Sequence, residues 1–242
     1  MRGMQWIWRR ELGAYLRSPM GYIIIAAVLM VDGLLFNALA VGGGQRRTSG
    51  EVLEYFFYCA SGTTILASIF ISMRLIAEER QTGTLVLLST SPLRDWQLVA
   101  GKFAAALSFL GLMTALTVYM PLLVLVNGKI SWGHIAAGYL GLMLIGSASL
   151  ALGLLCSAMA PNQLVAAIGG SAVITVFILL WLLSRIASPP VEELIAYLSL
   201  HDKHFRPFMR GLVSIADVVF YITLTYVALL GATRVMEARR WR

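Results

Sequence analysis

Charge is what this sequence has least of. Only 13% of its 242 residues are Asp, Glu, Lys or Arg, while 59% are hydrophobic and the mean hydropathy is +0.79. Soluble domains carry about 25% charged residues, so this chain lacks the polar surface to cover a globule in water. Lipid must be part of its solvent, and an ordinary soluble fold is excluded. Cysteine is scarce too. Cys59 and Cys156 fall in predicted spans toward opposite membrane faces, so they read as small buried hydrophobes and not as a disulfide. No His-Glu-x-x-His, paired intramembrane carboxylates or embedded serine-nucleophile motif occurs, which leaves an intramembrane hydrolase unsupported.

What charge there is sits at the ends of apolar runs. The net charge of +7 forms no basic stripe interleaved with aromatics, so it speaks for lipid headgroups and against nucleic acid. A helix crossing a hydrocarbon core of about 30 Å needs roughly 20 apolar residues. Spans are expected at about 20–41, 53–76, 103–126, 134–158, 163–184 and 212–234. The fold class is therefore all-α integral membrane, one transmembrane domain over 1–242. The 55 residues from Ile130 to Ser184 contain no Asp, Glu, Lys or Arg. That is too long for one crossing, so a hairpin is expected, broken at Ala160-Pro161-Asn162-Gln163, where Pro161 removes a backbone donor.

Six spans place both termini on one side. Of the 19 Lys and Arg residues, 12 fall on that side and 7 (Arg46, Arg47, Lys129, Arg185, Lys203, Arg206 and Arg210) on the other. The positive-inside rule then makes the terminal side cytoplasmic. The apolar run from Met20 follows Arg2, Arg9, Arg10 and Arg17 and is too long for a signal-peptide core, so it reads as a first span. Within residues 4–17, Met4, Trp8, Leu12, Tyr15 and Leu16 share one arc opposite Arg9, Arg10 and Arg17. This predicts a helix lying in the inner headgroup layer. A second amphipathic helix is expected in the outer segment 186–210. Ser188 caps it with Pro189 at its first position, and Val191, Leu194, Ile195 and Leu198 lie on one face.

Ionisable residues inside spans are pointers to function. Asp32 sits midway along the first span and reads equally as a substrate-path contact or as a carboxylate bonded to a neighbouring helix. Asp217 sits near the outer end of the last span, where it can reach the interface. His201 and His204, flanking Asp202, read as solvated loop residues, because a metal site needs three or four ligands. Ala104, Ser108 and Gly111, Ser147 and Ala151, and Ala166 and Gly170 follow a small-residue spacing that lets helices approach closely.

The densest polar stretch, 74–96, lies between the second and third spans. Gly83 stands where a helix would stop, and Thr84 can cap a short apolar helix through about Leu88. Ser91-Pro92 then opens the next helix. A short helix showing Leu85, Val86, Leu87 and Leu88 between charged flanks suits a groove on a partner.

Glu-Glu-Arg-Gln-Thr-Gly-Thr-Leu at 78–85, Ser-Pro-Leu-Arg-Asp-Trp-Gln at 91–97 and Gly101-Lys102-Phe103 resemble the permeases of type-2 ABC exporters. The ending, from Phe205 through Asp217 to Trp241, resembles the gliding-motility ABC permease subgroup, which tends to carry a further charge where this chain has Ala216. The resemblance implies that the loop between spans two and three is a coupling helix seated in a cleft of a separate ABC ATPase dimer. Glu78, Glu79, Arg80, Gly83, Thr84, Leu85 and Leu88 would contribute to that contact, with Ser91 and Pro92 setting up the third span.

ATP and Mg would belong to the ATPase, because this chain has no Gly-x-x-x-x-Gly-Lys-[Ser/Thr] loop to cradle phosphates. The chain itself is expected to be no enzyme, and to bind no cofactor or metal. A second permease copy, identical or related, would complete the path through a bacterial inner membrane, with a periplasmic accessory protein as a further partner. The alternative is mechanical transmission of ATPase motion to envelope partners without solute transport. A stand-alone channel or carrier has no use for the 78–97 signature. A tunnel lined by aliphatic and small residues suits lipids, lipid-linked molecules or hydrophobic peptides.

Overall fold

The uncharged stretch 130–184 folds as two helices, and the break falls where Pro161 stands. One helix ends at Met159; the next starts at Gln163, capped by Asn162, whose Oδ1 accepts from the Val165 amide at 2.9 Å. This is the expected hairpin. The computed structural model describes residues 2–41, 48–84, 94–128, 130–186, 188 and 191–240. In chain order its helices are α1 (Arg2–Arg17), α2 (Pro19–Leu35, continued by a π-helical turn at Phe36–Val41), α3 (Ser49–Ser72), α4 (Ala77–Gln81), α5 (Asp95–Leu116), α6 (Tyr119–Asn127), α7 (Trp132–Met159), α8 (Gln163–Ser184), α9 (Val191–Leu198), α10 (Arg206–Met209) and α11 (Ile215–Arg240). Among the described residues there is no strand.

Six helical stretches are long and apolar enough to cross a membrane: Pro19–Ala38, Ser49–Gln81, Asp95–Val126, Trp132–Met159, Gln163–Ser184 and Ile215–Arg239. They are called spans 1 to 6. The all-helical, six-span class expected from the sequence holds. One end of the bundle carries α1, α4 and the end of α11 (the α1 face); the other carries α9 and α10 (the α9 face).

Spans 2 and 4 form the core, and spans 1, 5 and 6 lie mostly on the outside. Small residues explain the intimacy of the central pair. A Cβ added at Gly138 would overlap the Phe57 ring, and one at Gly153 would overlap the Ser72 hydroxyl. Span 2 meets this glycine face with a buried polar stripe of Ser61, Thr64, Ser68 and Ser72. The Ser68 hydroxyl satisfies itself on the Thr64 carbonyl, 2.8 Å away, as lipid-immersed hydroxyls must. Of the small residues singled out by spacing, Gly170 meets Gly153, Ser147 lies 3.3 Å from the Thr225 hydroxyl of span 6, and Ser108 accepts from the Trp8 indole at 2.9 Å.

That last contact changes the reading of α1. The helix forms with the expected amphipathic pattern, and part of its apolar side packs on span 3. Ile7 and Tyr15 are buried, and the Tyr15 ring stacks on Phe109 with centroids 5.1 Å apart. Its hydroxyl donates to the Ile71 carbonyl of span 2. Arg9, Arg10 and Arg17 remain exposed, as does Trp6. Amphipathicity shows that a helix has a face to bury; it does not say whether protein or lipid buries it.

Candidate coupling site on the α1 face

Span 2 does not end cleanly. After a turn at 73–76 the chain re-enters helix as α4, which carries Glu78, Glu79 and Arg80. Gly83 then stops it with φ +74, a left-handed conformation that a side chain would strain, and its amide bonds the Arg80 carbonyl. The expected helix stop is there. Thr82 and Thr84 close the turn, both hydroxyls donating back to carbonyls of 78 and 79. Leu85, Leu88, Ser91 and Pro92 lie outside the described residues.

α4 is bonded to four other parts of the molecule. Lys102, at the start of span 3, is 1% exposed, and its Nζ lies 2.8 Å from Glu79 Oε1 and 3.3 Å from Glu11 Oε1 of α1. Arg10 adds a second cation, 2.6 Å from Glu11 and 3.2 Å from Glu79. Burial opposes ionisation of Glu11, but Lys102 and Arg10 outweigh it and hold its carboxyl below the ordinary range. Arg74 clasps Glu78 through two hydrogen bonds of 2.8 and 3.1 Å.

Arg80 points the other way. Its guanidinium donates to the Ala158 and Ala160 carbonyls at the end of span 4, which the helix itself leaves unsatisfied. Ser157 of that span accepts from the Ile76 and Ala77 amides at 3.1 and 3.0 Å, and Arg239 of span 6 donates to the Met159 carbonyl at 2.7 Å. A polar cleft of about 260 Å³ remains between α1 and α4, lined by Glu11, Tyr15, Arg74, Glu79 and Thr84 among others.

Glu78, Glu79, Arg80, Gly83 and Thr84 thus come together on one short segment. Lys102, Glu11 and Ser157 are parts of the same assembly that the sequence reading did not single out. A signal for Lys102 existed. Leu98, Lys102, Ala105 and Phe109 recur at helical spacing, and all four are buried.

Asp32 and Asp217 do not join this site. Asp32 is 3% exposed and accepts from the Thr63 hydroxyl of span 2 at 2.7 Å, beside an apolar groove of about 340 Å³ between spans 1 and 2. Asp217 is buried and lies 2.7 Å from His204 Nδ1. The solvated reading of the two histidines is corrected with it. His204 is 1% exposed, and His201 Nε2 lies 2.8 Å from the Ser61 hydroxyl. Burial pushes the His201 imidazole below its ordinary value, against the opposing pull of Asp202. The loop is polar in composition, but Phe205, Phe208, Phe220 and Tyr221 enclose it.

Six apolar helices long enough to cross a membrane make this a multi-pass membrane protein. The family model described as ABC-2 type transporter matches residues 2–192, and the chain belongs to that family. No curated protein matches the chain.

Proposed function

We propose that this chain is the permease of an ATP-driven exporter in a bacterial inner membrane, with the α1 face in the cytoplasm. Segment 74–97 would receive the motion of a separate ABC ATPase dimer. The observation that carries this reading is the wiring of α4. One short helix is tied by charge to α1 and span 3, and by hydrogen bonds to the end of span 4. A force on such a segment reaches three spans through direct polar contacts, which shift between discrete arrangements and do not stretch. ATP and Mg stay on the partner. Two permease copies would enclose the path, and the mostly lipid-facing spans 1 and 5 leave room for that pairing.

The test is co-purification with the ATPase together with ATP hydrolysis in lipid. Glu79→Gln, Gly83→Val and Leu85→Trp should each cut association or turnover at least fivefold while membrane insertion persists. Wild-type association and turnover in all three would remove the coupling assignment. The mechanical alternative, which the gliding-like ending favours, is separated by substrate flux. An envelope partner would then be held and moved with no solute crossing.

A further inference from the structure

Two cavities follow one another along the seam between spans 1 and 2. The polar cleft at the α1 face extends to Ser18 and Arg74. The apolar groove starts at Met20, two residues further along the chain, and at Phe70, one helical turn before Arg74 on span 2. It runs on to Val31 and Thr63. From Met20 to Val31 a helix rises about 16 Å, close to the half of a core of about 30 Å that the tails of one leaflet fill. Ile23 on one wall and Leu66 and Phe70 on the other stay exposed. The groove thus has the length and chemistry of an acyl chain, and the cleft stands where the headgroup of that chain would lie.

The cleft lining sets Glu11, Glu78 and Glu79 against Arg74 and Lys102. Arg10, bonded to Glu11 and Glu79, brings the cations to the same number, so a headgroup without net charge meets a balanced wall. Most of these charges engage one another, and two capacities are left over. Glu79 Oε2 is buried with no hydrogen-bond partner, a costly state for a carboxylate oxygen. The last torsion of a Glu side chain is soft, so a small turn presents that oxygen to the cleft. Arg74 gives two of its five N–H groups to Glu78, which leaves others for an anion. We propose that this seam seats one phospholipid of the leaflet on the α1 side, with a primary amine in its headgroup: phosphatidylethanolamine. Its ammonium donates to Glu79, its phosphate accepts from Arg74, and one acyl chain lies in the groove. Phosphatidylcholine fills the groove equally well, but its quaternary nitrogen has no N–H to offer Glu79. Because Glu79 also holds Lys102 and Arg10, the lipid ties α4 to the bilayer.

Native mass spectrometry of the full chain in mild detergent, incubated with one lipid at a time, reads the seat without an ATPase. Phosphatidylethanolamine, phosphatidylcholine and phosphatidylglycerol of identical acyl chains are compared at equal concentration. The first should be retained roughly fivefold or more over either other, the effect of one charge-assisted hydrogen bond in a partly open site. Glu79→Gln should bring phosphatidylethanolamine down to the phosphatidylcholine level without lowering phosphatidylcholine, which also shows that the groove is still formed. Ala27→Phe fills the groove from an exposed position and should abolish the preferential retention. Ala26→Phe, exposed but outside the groove lining, should behave as wild type. Wild-type retention of phosphatidylethanolamine no greater than that of the other two would overturn the seat. So would a preference that survives undiminished in Glu79→Gln or in Ala27→Phe.

Discussion

The two ends of the bundle solve the same problem with opposite chemistry. On the α1 face, Lys102 and Arg10 hold Glu11 and Glu79 in a network of long side chains, three of the four partly open to water. On the α9 face a single His204–Asp217 pair is sealed under Phe220 and Tyr221, and Arg210–Glu54 lies outside it. Long, multiply partnered ions tolerate a changed geometry, because each loses one of several contacts. A short, sealed pair has two states, made or broken. The first design fits the coupling role proposed for the α1 face.

The sharpest way to break the comparison is to remove the cation at the centre of the α1 face. Lys102→Met would leave Glu11 and Glu79 half-buried beside each other with Arg10 alone to serve both. Deleting one partner of a buried ion pair costs about 3–5 kcal/mol. Arg10 keeps this case near the low end, at about 3 kcal/mol. Thermal unfolding in mild detergent would show it, and a change within experimental scatter would mean that the network adds nothing to stability.

A smaller effect is expected at the other end from Tyr221→Phe, which removes the hydroxyl bonded to the Leu200 carbonyl but keeps the ring. A buried carbonyl left without its donor costs about 1–3 kcal/mol. The loss should appear as faster exchange at residues 199–205, with α1 unaffected. Equal loosening at both ends would show that the two clusters are one cooperative unit.

How far all this could be read in the sequence depends on the range of the interaction. Gly83 ended α4 and Pro161 broke the hairpin as expected, because each acts on its own backbone. The six spans followed from hydropathy for the same local reason. The partners of Lys102 did not, since Glu11 lies 91 positions away and nothing local selects it. Charge pattern placed α1 on a membrane surface, but only the tertiary fold shows Trp8 bonded to Ser108 and Tyr15 stacked on Phe109. The glycine face of span 4 was legible in principle. Gly138, Gly146 and Gly153 recur at nearly two-turn intervals, yet the reading stopped at neighbouring small residues. His204 was misjudged because Asp202, Lys203 and Arg206 make its loop look solvated, whereas aromatic residues 16 and 17 positions further on bury it.

The smallest expected effect is a pH dependence at the α1 face. Lys102 and Arg10 hold the Glu11 carboxyl below its ordinary value of 4.5. A depressed carboxyl contributes stability that is present above the unfolded value and is lost as pH falls through the lower native one. Exchange of residues 2–17 should therefore stay flat between pH 7 and 9 and rise modestly in acid below about 4.5. Loosening of residues 2–17 in alkali, with no rise in acid, would show that the Glu11 carboxyl does not carry this dependence.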